Sequence, residues 1–367
     1  MRLLIGGDFA AGCIKRNPAT TYGFSERMVR LFKEADYSIV NFESPILENN
    51  VGTCIEKVGP ALSMSREYVK YLSEVGVKAV TLANNHFCDY GDEGVEGTLT
   101  ALDIYGLKHV GGGRNTQEKK AGLDLYEDTA KVVVLNYCEN EFSTLYEKGS
   151  NELNIVRVVK DVEGKRNQGK TVVVIIHGGH EGYNLPSPRM KELYRFFIEK
   201  GASVVINHHQ HCFSGYENYK NGVIFYGLGN LFFPLANMSM AWRKGYLVQL
   251  DINGDEVEWD VLPYQLNDES LIVDLMRDEG YMSFKKEINT LNNIIADDAL
   301  LKQSFDAFCK SVEKNNVIWY TPYSSRILQA LYRRGLLPSF ISRKKKVQLL
   351  NALRCESHRD VSIQLFK

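Results

Sequence analysis

The sequence predicts an α/β protein with a helical extension at its C-terminal end. Short apolar β-type runs alternate with amphipathic helical runs through residues 1–265, the pattern of an open, largely parallel sheet. Five of those runs end in Asp, Glu, Asn or His, where open α/β sheets place their sites. Beyond about Gln265 the strand signal stops and helical patterning takes over. The most informative junction is residues 82–91. Asn84, Asn85, His86 and Asp89 follow the apolar run 77–82 and precede a helix from about Asp92. An amide and an imidazole at adjacent positions point in different directions from a strand end. One can hold a metal while its neighbour faces a substrate. The same cluster can also be a simple turn supported by Gly91.

Residues 3–7 form the first predicted strand, with Asp8 at its end. Residues 24–35 form an amphipathic helix that Ser25 can cap. Residues 37–42 form a second strand that leads into Glu43-Ser44-Pro45. A helix at 65–75 precedes the strand at 77–82, and a helix at 93–105 stops at Gly106. A short strand at 107–110 runs into Gly111-Gly112-Gly113, and another strand covers 132–137. Residues 139–165 are charged and weakly patterned, as in a loop with one short helix. Residues 171–176 are continuously β-branched, as in a strand covered on both faces, and run into His177-Gly178-Gly179-His180-Glu181. A helix at 188–200 leads to a strand at 202–206 and then to Asn207-His208-His209-Gln210-His211. The strand at 223–226 ends in Gly227-Leu228-Gly229-Asn230. Residues 246–252 and 257–264 form a hairpin turned at Asn253-Gly254. Residues 270–315 and 324–354 are helical in pattern, the latter broken near Gly335 and Pro338.

A chain of 367 residues with 44% hydrophobic content buries a large core and forms one large domain, alone or with an appendage. Its net charge of −1 argues against wholesale nucleic-acid binding. The start, Met1 to Asp8, is too short an apolar run for a signal peptide, and no later run is long enough to span a bilayer. The seven cysteines (13, 54, 88, 138, 212, 309 and 355) are scattered, with no CxxC. Such usage fits reduced thiols in the cytoplasm, not a disulfide framework or a zinc–thiolate site.

Five of the eight histidines lie between His177 and His211. The strands before them bring both groups to one sheet edge, and His86 sits at another strand end. With Asp8, Glu43 and Asn85 they make an oxygen and nitrogen set without thiolate. Such a set suits Zn, Mn or Fe, and a bridging carboxylate can hold two ions that polarise a phosphoryl oxygen. Each residue also has a plainer reading. Asp8 can cap a turn and Glu43 can be an exposed loop acid. His177 can be a hydrogen-bonded strand-end histidine. His209 and His211 can share a strand face without a metal. Their joint recurrence at strand ends is what these readings leave unexplained.

The motifs Gly7-Asp8, Asn41-Phe42-Glu43-Ser44-Pro45, Ala83-Asn84-Asn85-His86 with Asp89-Tyr90-Gly91, His177-x-Gly179-x-Glu181, His209-x-His211 and Gly227-Leu228-Gly229-Asn230 resemble the CapA family. These are capsule and poly-γ-glutamate biosynthesis proteins of the calcineurin-like metallophosphoesterase superfamily. The likeness covers residues 1–265 with the motifs in the family's order. It implies a four-layer domain over 1–265, two packed β-sheets with helices outside; the helical pattern beyond gives an extension over 266–367. By position, it implies that Asp8, Glu43, Asn85, His177, His209 and His211 hold two divalent metal ions (Mn, Zn or Fe), with Glu43 in the bridging place. It implies His86 as a substrate-facing general acid, with Asp89 and Glu181 in the catalytic group. Asn230, His180 and His208 are implied as substrate-binding. The superfamily's first motif is Asp-x-His, whereas position 10 is Ala; the usual Pro between the last two histidines is Gln210. His180 and His208 are extra imidazoles that could replace an assigned ligand.

Two functions are therefore expected as alternatives. One is a metal-dependent hydrolase of phosphoester or amide bonds in capsule, poly-γ-glutamate or surface-polysaccharide biosynthesis. The other is a non-catalytic assembly or binding factor for polymer synthesis that keeps the fold, for which Ala10 and the helical extension speak. The expected partners are a surface-polymer or phosphoester substrate and other capsule-biosynthesis proteins, not nucleic acid. Many CapA-type proteins carry an N-terminal membrane anchor that this sequence does not show, so a cytoplasmic location is expected. From Arg326 onward there are ten Lys and Arg against two acids. The run Arg343-Lys344-Lys345-Lys346 after the apolar residues 336–341 suits peripheral contact with an anionic membrane. It equally suits a solvated helix face.

Overall fold

The computed structural model describes residues 1–11, 23–47, 52–127, 130–235 and 237–365. The first half contains β1 (Arg2–Phe9), β2 (Gly23–Phe24), α1 (Glu26–Glu34) and β3 (Tyr37–Phe42). These are followed by α2 (Glu67–Glu74), β4 (Ala79–Thr81), α3 (Gly91–Tyr105) and β5 (Lys108–Val110). Next come β6 (Gly112–Gly113), α4 (Thr116–Lys120), β7 (Leu123–Glu127), β8 (Ala130–Cys138) and β9 (Gly149–Ser150). The second half continues with α5 (Ile155–Asn167), β10 (Thr171–His177), α6 (Pro188–Glu199) and β11 (Val204–His208). β12 (Tyr216–Tyr219), β13 (Gly222–Phe225), β14 (Asn230–Phe232), β15 (Lys244–Asn253), β16 (Glu256–Leu266) and β17 (Ile272–Leu275) complete the strands. The helices α7 (Asp278–Ala296), α8 (Asp298–Ser311), α9 (Glu313–Val317), α10 (Arg326–Arg333), α11 (Arg343–Arg354) and α12 (Glu356–Leu365) follow.

The strands form two large sheets flanked by helices, the four-layer α/β arrangement expected from the sequence. In the first sheet the order is β2-β17-β16-β15-β1-β3-β4-β5, with β14 beside the end of β1. Its β1, β3, β4 and β5 are parallel. The second sheet is ordered β12-β13-β11-β10-β8-β7, and its β8, β10, β11 and β13 are parallel. Every residue of β10 and β11 is buried, as their unbroken apolar runs require. Helices α1, α2 and α3 cover the first sheet through Met28, Phe32, Val69, Leu72, Val95 and Leu99. Helices α5 and α6 bury Val158, Val162, Met190 and Phe197.

Local signals act where they were expected. Ser25 caps α1 by accepting from the Met28 amide. Gly106 ends α3 in the left-handed region at φ 71°. The β15–β16 hairpin pairs Asn253 with Glu256 across Gly254.

Other parts of the chain differ from the expectation. Residues 139–165 hold more helix than one short piece, because α5 runs over 13 residues with Asn154 as its cap. Only Val158 and Val162 are buried on it, too narrow an apolar stripe to stand out as a period. Residues 272–275, expected to be helical, form β17 and pair antiparallel with β16. Val273 has no exposed surface there, so sheet pairing overrides a weak local preference. The chain divides into two compact units, Met1–Lys302 and Gln303–Lys367. The boundary expected at 265/266 lies within the first of them, at the last residue of β16. Six cysteines are free, of which Cys88, Cys138 and Cys212 are buried; Cys13 lies outside the described residues. Among the described residues, no helix is long and apolar enough to cross a membrane.

Two glycines test the packing in opposite directions. A Cβ on Gly7 would lie 1.8 Å from the Gly229 carbonyl oxygen, a backbone atom that cannot swing away. Gly7→Ala is expected to lose about 2–3 kcal/mol in urea unfolding at an unchanged slope. Gly164, inside α5, has no atom within 4 Å of the new position. Gly164→Ala is expected to gain about 0.5–1 kcal/mol through helix propensity.

Candidate metal centre

The parallel strands of both sheets deliver their polar ends to one place. Asp8, near the end of β1, is in register with Asn41 of β3 and Asn230 of β14. His177, the last residue of β10, pairs with His208 of β11. Just beyond these ends lie Glu43, Asn85, His209 and His211. His209 and His211 both adopt positive φ, 91° and 56°, a conformation that non-glycine residues rarely take. Strain of that kind persists where the surroundings over-determine it, commonly at functional sites.

The side chains converge tightly. The His177 Nε2 atom lies 3.0 Å from Asn85 Oδ1 and 3.0 Å from His209 Nδ1. Ligand atoms about 2.1 Å from one ion and at right angles to each other stand about 3 Å apart. Glu43 Oε1 is 3.5 Å from His177 Nε2 and 3.7 Å from His211 Nε2. Asp8 Oδ2 is 3.4 Å from His211 Nδ1 and accepts from the His209 amide at 3.2 Å. Three overlapping groups have ligand atoms within 4.8 Å of one another: Glu43-His177-His209, Asp8-Glu43-His211 and Glu181-His209-His211. Buried His, Glu and Asp groups here can thus hold a metal ion.

The donor set fits such an ion on a second ground. Glu43 has no exposed surface, and among the described residues neither of its oxygens has a hydrogen-bond partner. A buried carboxylate left unpartnered is costly unless a cation compensates it. Burial, and then the Asp8 charge, hold the Glu43 carboxyl well above the usual range. Burial also pushes Asp8 up, but the hydrogen bond and the charge of His211 outweigh it and hold it low. Burial, and then His209, hold His177 well below an ordinary imidazole. Burial, and then His211, bring His209 down to about 3. His211 goes the other way: burial opposes its charge, yet Glu43 and Asp8 raise it to about 10.

Supporting residues orient the set. Asn230 Nδ2 donates to the carbonyls of His211 and Trp242 at 3.2 and 3.1 Å. Its Oδ1 is thereby left to accept from His211 Nδ1 at 2.9 Å, which frees His211 Nε2 for a ligand. Asn230, expected beside the substrate or behind the ligands, thus contacts His211. Asn41 Nδ2 donates to Asp8 Oδ1 at 2.8 Å and lies 3.3 Å from His177 Nδ1. His86 Nδ1 donates to Asp89 Oδ2 at 2.6 Å. Asp89 is pinned in turn by the Leu62 amide at 2.7 Å and by an ion pair with Lys57. Lys57 Nζ also lies 3.3 Å from His86 Nδ1.

The remaining motif residues lie around this set. Glu181, expected in the catalytic group, comes within ligand distance of His209 and His211. His180 packs against Tyr183 at 6.4 Å. His208 is only 2% exposed, which leaves almost no surface for a substrate, and burial keeps its ring neutral against the pull of Asp8. Neither joins a ligand group among the described residues. Asn41 stood inside a recognised motif without a role. Lys57 had no signal at all, because it lies in an unpatterned segment 32 residues before Asp89. Trp242 and Phe233 also escaped notice; their rings lie 4.7 and 5.2 Å from His211 and wall one side of it.

Comparison with known proteins bears on this arrangement. A crystal structure of a hypothetical protein from Thermus thermophilus covers 76% of this chain and 100% of its own, at 13% identity and a TM-score of 0.45, too low to support an argument. The capsule biosynthesis protein CapA of Bacillus anthracis is 31% identical over 254 residues, 65% of this chain and 60% of that protein. The PGA biosynthesis protein CapA of Bacillus subtilis (strain 168) is 29% identical over 214 residues, 55% of this chain and 54% of that protein. This chain therefore spans less than two thirds of the length of either relative. Residues 3–235, which include every side chain of the cluster, match the model of the bacterial capsule synthesis protein PGA_cap. With the site's strand-end geometry and this match together, the chain belongs to the PGA_cap family of bacterial capsule synthesis proteins.

Proposed function

We infer that this chain is a metal-dependent hydrolase of phosphoester or amide bonds, working in the assembly of capsule or poly-γ-glutamate polymer. Glu43 is the observation that supports this most. It is buried, has no hydrogen-bond partner among the described residues, and is common to the His177–His209 group and the Asp8–His211 group. A carboxylate shared in that way suits a pair of ions a few Å apart. Divalent ions bound there (Zn, Mn or Fe by donor type) would supply Lewis-acid polarisation of the scissile group and an activated water.

The chain's own residues do the remaining work. Asp8 and Glu43 supply the negative charge. His177 and His209 are kept neutral by burial, so neither has to lose a proton to become a ligand. Asn41 and Asn230 hold Asp8, His177 and His211 in orientation. Asp89 fixes the His86 ring through Nδ1. On this reading the His86 Nε2 gives a proton to the leaving group.

Three outcomes test this reading. Glu43→Gln, Asn85→Ala, His177→Ala and His209→Ala should each lower the metal content of protein purified without chelator, Glu43→Gln the most. Wild-type protein that neither carries nor takes up Zn, Mn or Fe would sink the proposal. Metal affinity should also rise with pH. His211, raised to about 10 without metal, must release its second proton to become a ligand. Below that pH protons compete with the ion at His211, and also at Glu43, whose carboxyl is held well above its usual range, so affinity should climb by at least about tenfold per pH unit through neutrality. A flat profile would remove His211 from the ligand set. Finally, His86→Asn should keep metal and fold but lose about 10²–10⁴-fold in turnover. The loss should be smaller on substrates whose leaving group needs no proton. Full activity per metal-loaded site would reduce His86 to a structural role. Bound metal with capsule formation indifferent to His86→Asn would favour a non-catalytic assembly factor.

A further inference from the structure

The second compact unit, Gln303–Lys367, has a charge opposite to that of the first. It carries twelve Lys and Arg against four Asp and Glu, whereas residues 1–302 carry 32 against 41. It is also poorly buried. Its core cluster is Ile318, Tyr323 and Tyr332, and neither α11 nor α12 buries any residue.

The exposed apolar groups are ordered. On α11, Val347, Leu350 and Leu353 are 62%, 53% and 54% exposed, and their three-residue spacing puts them on one face. Arg343 and Lys346 stand four residues before Val347 and Leu350, and Arg354 stands four after Leu350. The basic groups are therefore interleaved with the apolar stripe on the same face. Leu349 and Ala352, on the other side, are the partly covered residues. On α12, Val361 and Leu365 repeat the pattern at i and i+4, both exposed.

The charge is also badly placed for an isolated helix. Arg343-Lys344-Lys345-Lys346 fill the first turn of α11, and the helix contains no acid. Its N-terminus carries the positive end of the macrodipole, so four cations there repel it and one another. An external anionic surface turns that repulsion into attraction. A soluble polyanion would satisfy the basic groups but leave the apolar stripe in water. A second copy of the chain would cover the stripe but set like charges together. A lipid surface with anionic headgroups satisfies both features.

We propose that the unpacked face of α11 and α12 docks on an anionic membrane surface. Val347, Leu350, Leu353, Val361 and Leu365 enter the headgroup region, and Arg343, Lys346 and Arg354 meet the lipid phosphates. The inference does not depend on the metal-centre reading, since none of these residues belongs to that site.

Co-sedimentation of the full chain tests it, with vesicles of phosphatidylcholine containing about a third phosphatidylglycerol set against phosphatidylcholine alone. The full chain should bind only the anionic vesicles, less tightly as salt rises. Combined Arg343→Gln, Lys346→Gln and Arg354→Gln should weaken binding about fivefold per charge, on the order of a hundredfold together. Arg343→Lys with Arg354→Lys should retain it. Combined Val347→Ser, Leu350→Ser and Leu353→Ser should abolish the binding that remains at physiological salt. All these positions are exposed, so thermal unfolding of each variant should match the parent. In Leu350→Trp, emission should shift to the blue with anionic vesicles alone. Absence of wild-type binding at low salt would overturn the proposal, as would equal binding by the Gln variant. Concentration-dependent dimerisation abolished by the Ser variant would overturn it too, by assigning the face to a second copy.

Discussion

Glu43 sets the electrostatic problem that the first unit is arranged around. Its carboxyl has no exposed surface and no hydrogen-bond partner, and Asp8 lies close enough to raise its pKa further. Two buried carboxylates are relieved by protonation of one, the direction in which Glu43 is pushed, or by positive charge nearby. Within the protein itself, His211 provides that charge, held up to about 10 by Glu43 and Asp8. The same field attracts a divalent cation. The neutral rings of His177 and His209, too deeply buried to carry charge of their own, stand ready beside it. One constraint thus accounts for opposite behaviour in histidines that share a site.

The fold meets that constraint by bringing strand ends together. Asp8 and Asn41 leave the first sheet at matched register, and His177 leaves the second beside His208. Gly7 allows β1 to run against the Gly229 carbonyl, where any side chain would collide. That approach places Asp8 beside Asn230, which in turn aims His211. The left-handed backbone at His209 and His211 turns both rings inward from a short loop. Rigid, fully buried strands such as β10 and β11 give the strained loop its footing.

Much of the donor set could be read from residue order, because each candidate follows an apolar run. Asp8, Glu43, Asn85 and the histidines between His177 and His211 are visible in that way, the family resemblance narrows the histidines to His177, His209 and His211, and the structure brings these donors to one place. The groups that hold them were harder to see. Asn41 lies inside a strand and looks like part of its ladder until Asp8 is beside it. Lys57 approaches Asp89 from an unpatterned loop. Glu181 was visible as a motif residue, but its nearness to His209 and His211 depends on how the loop after β10 folds back. His208 looked equivalent to its neighbours in sequence, yet it is still in the strand and so is enclosed by it.

Local physical chemistry thus determined what depends on near neighbours. A serine hydroxyl caps α1, Asn253-Gly254 turns the hairpin, and β-branched runs become doubly covered strands. The types of donor atom available to a metal are likewise set by the chain's own composition. Only the tertiary structure decided what depends on pairing across distance. Ile272–Leu275 became a strand because β16 offered it an edge, and Ile155–Asn167 became a helix on two buried valines. Asp89 gained Lys57, and Glu43 lost every hydrogen-bond partner, through contacts between segments far apart in the chain. Such contacts leave no periodicity in the sequence, because the partner supplies the burial and the charge that give each residue its character.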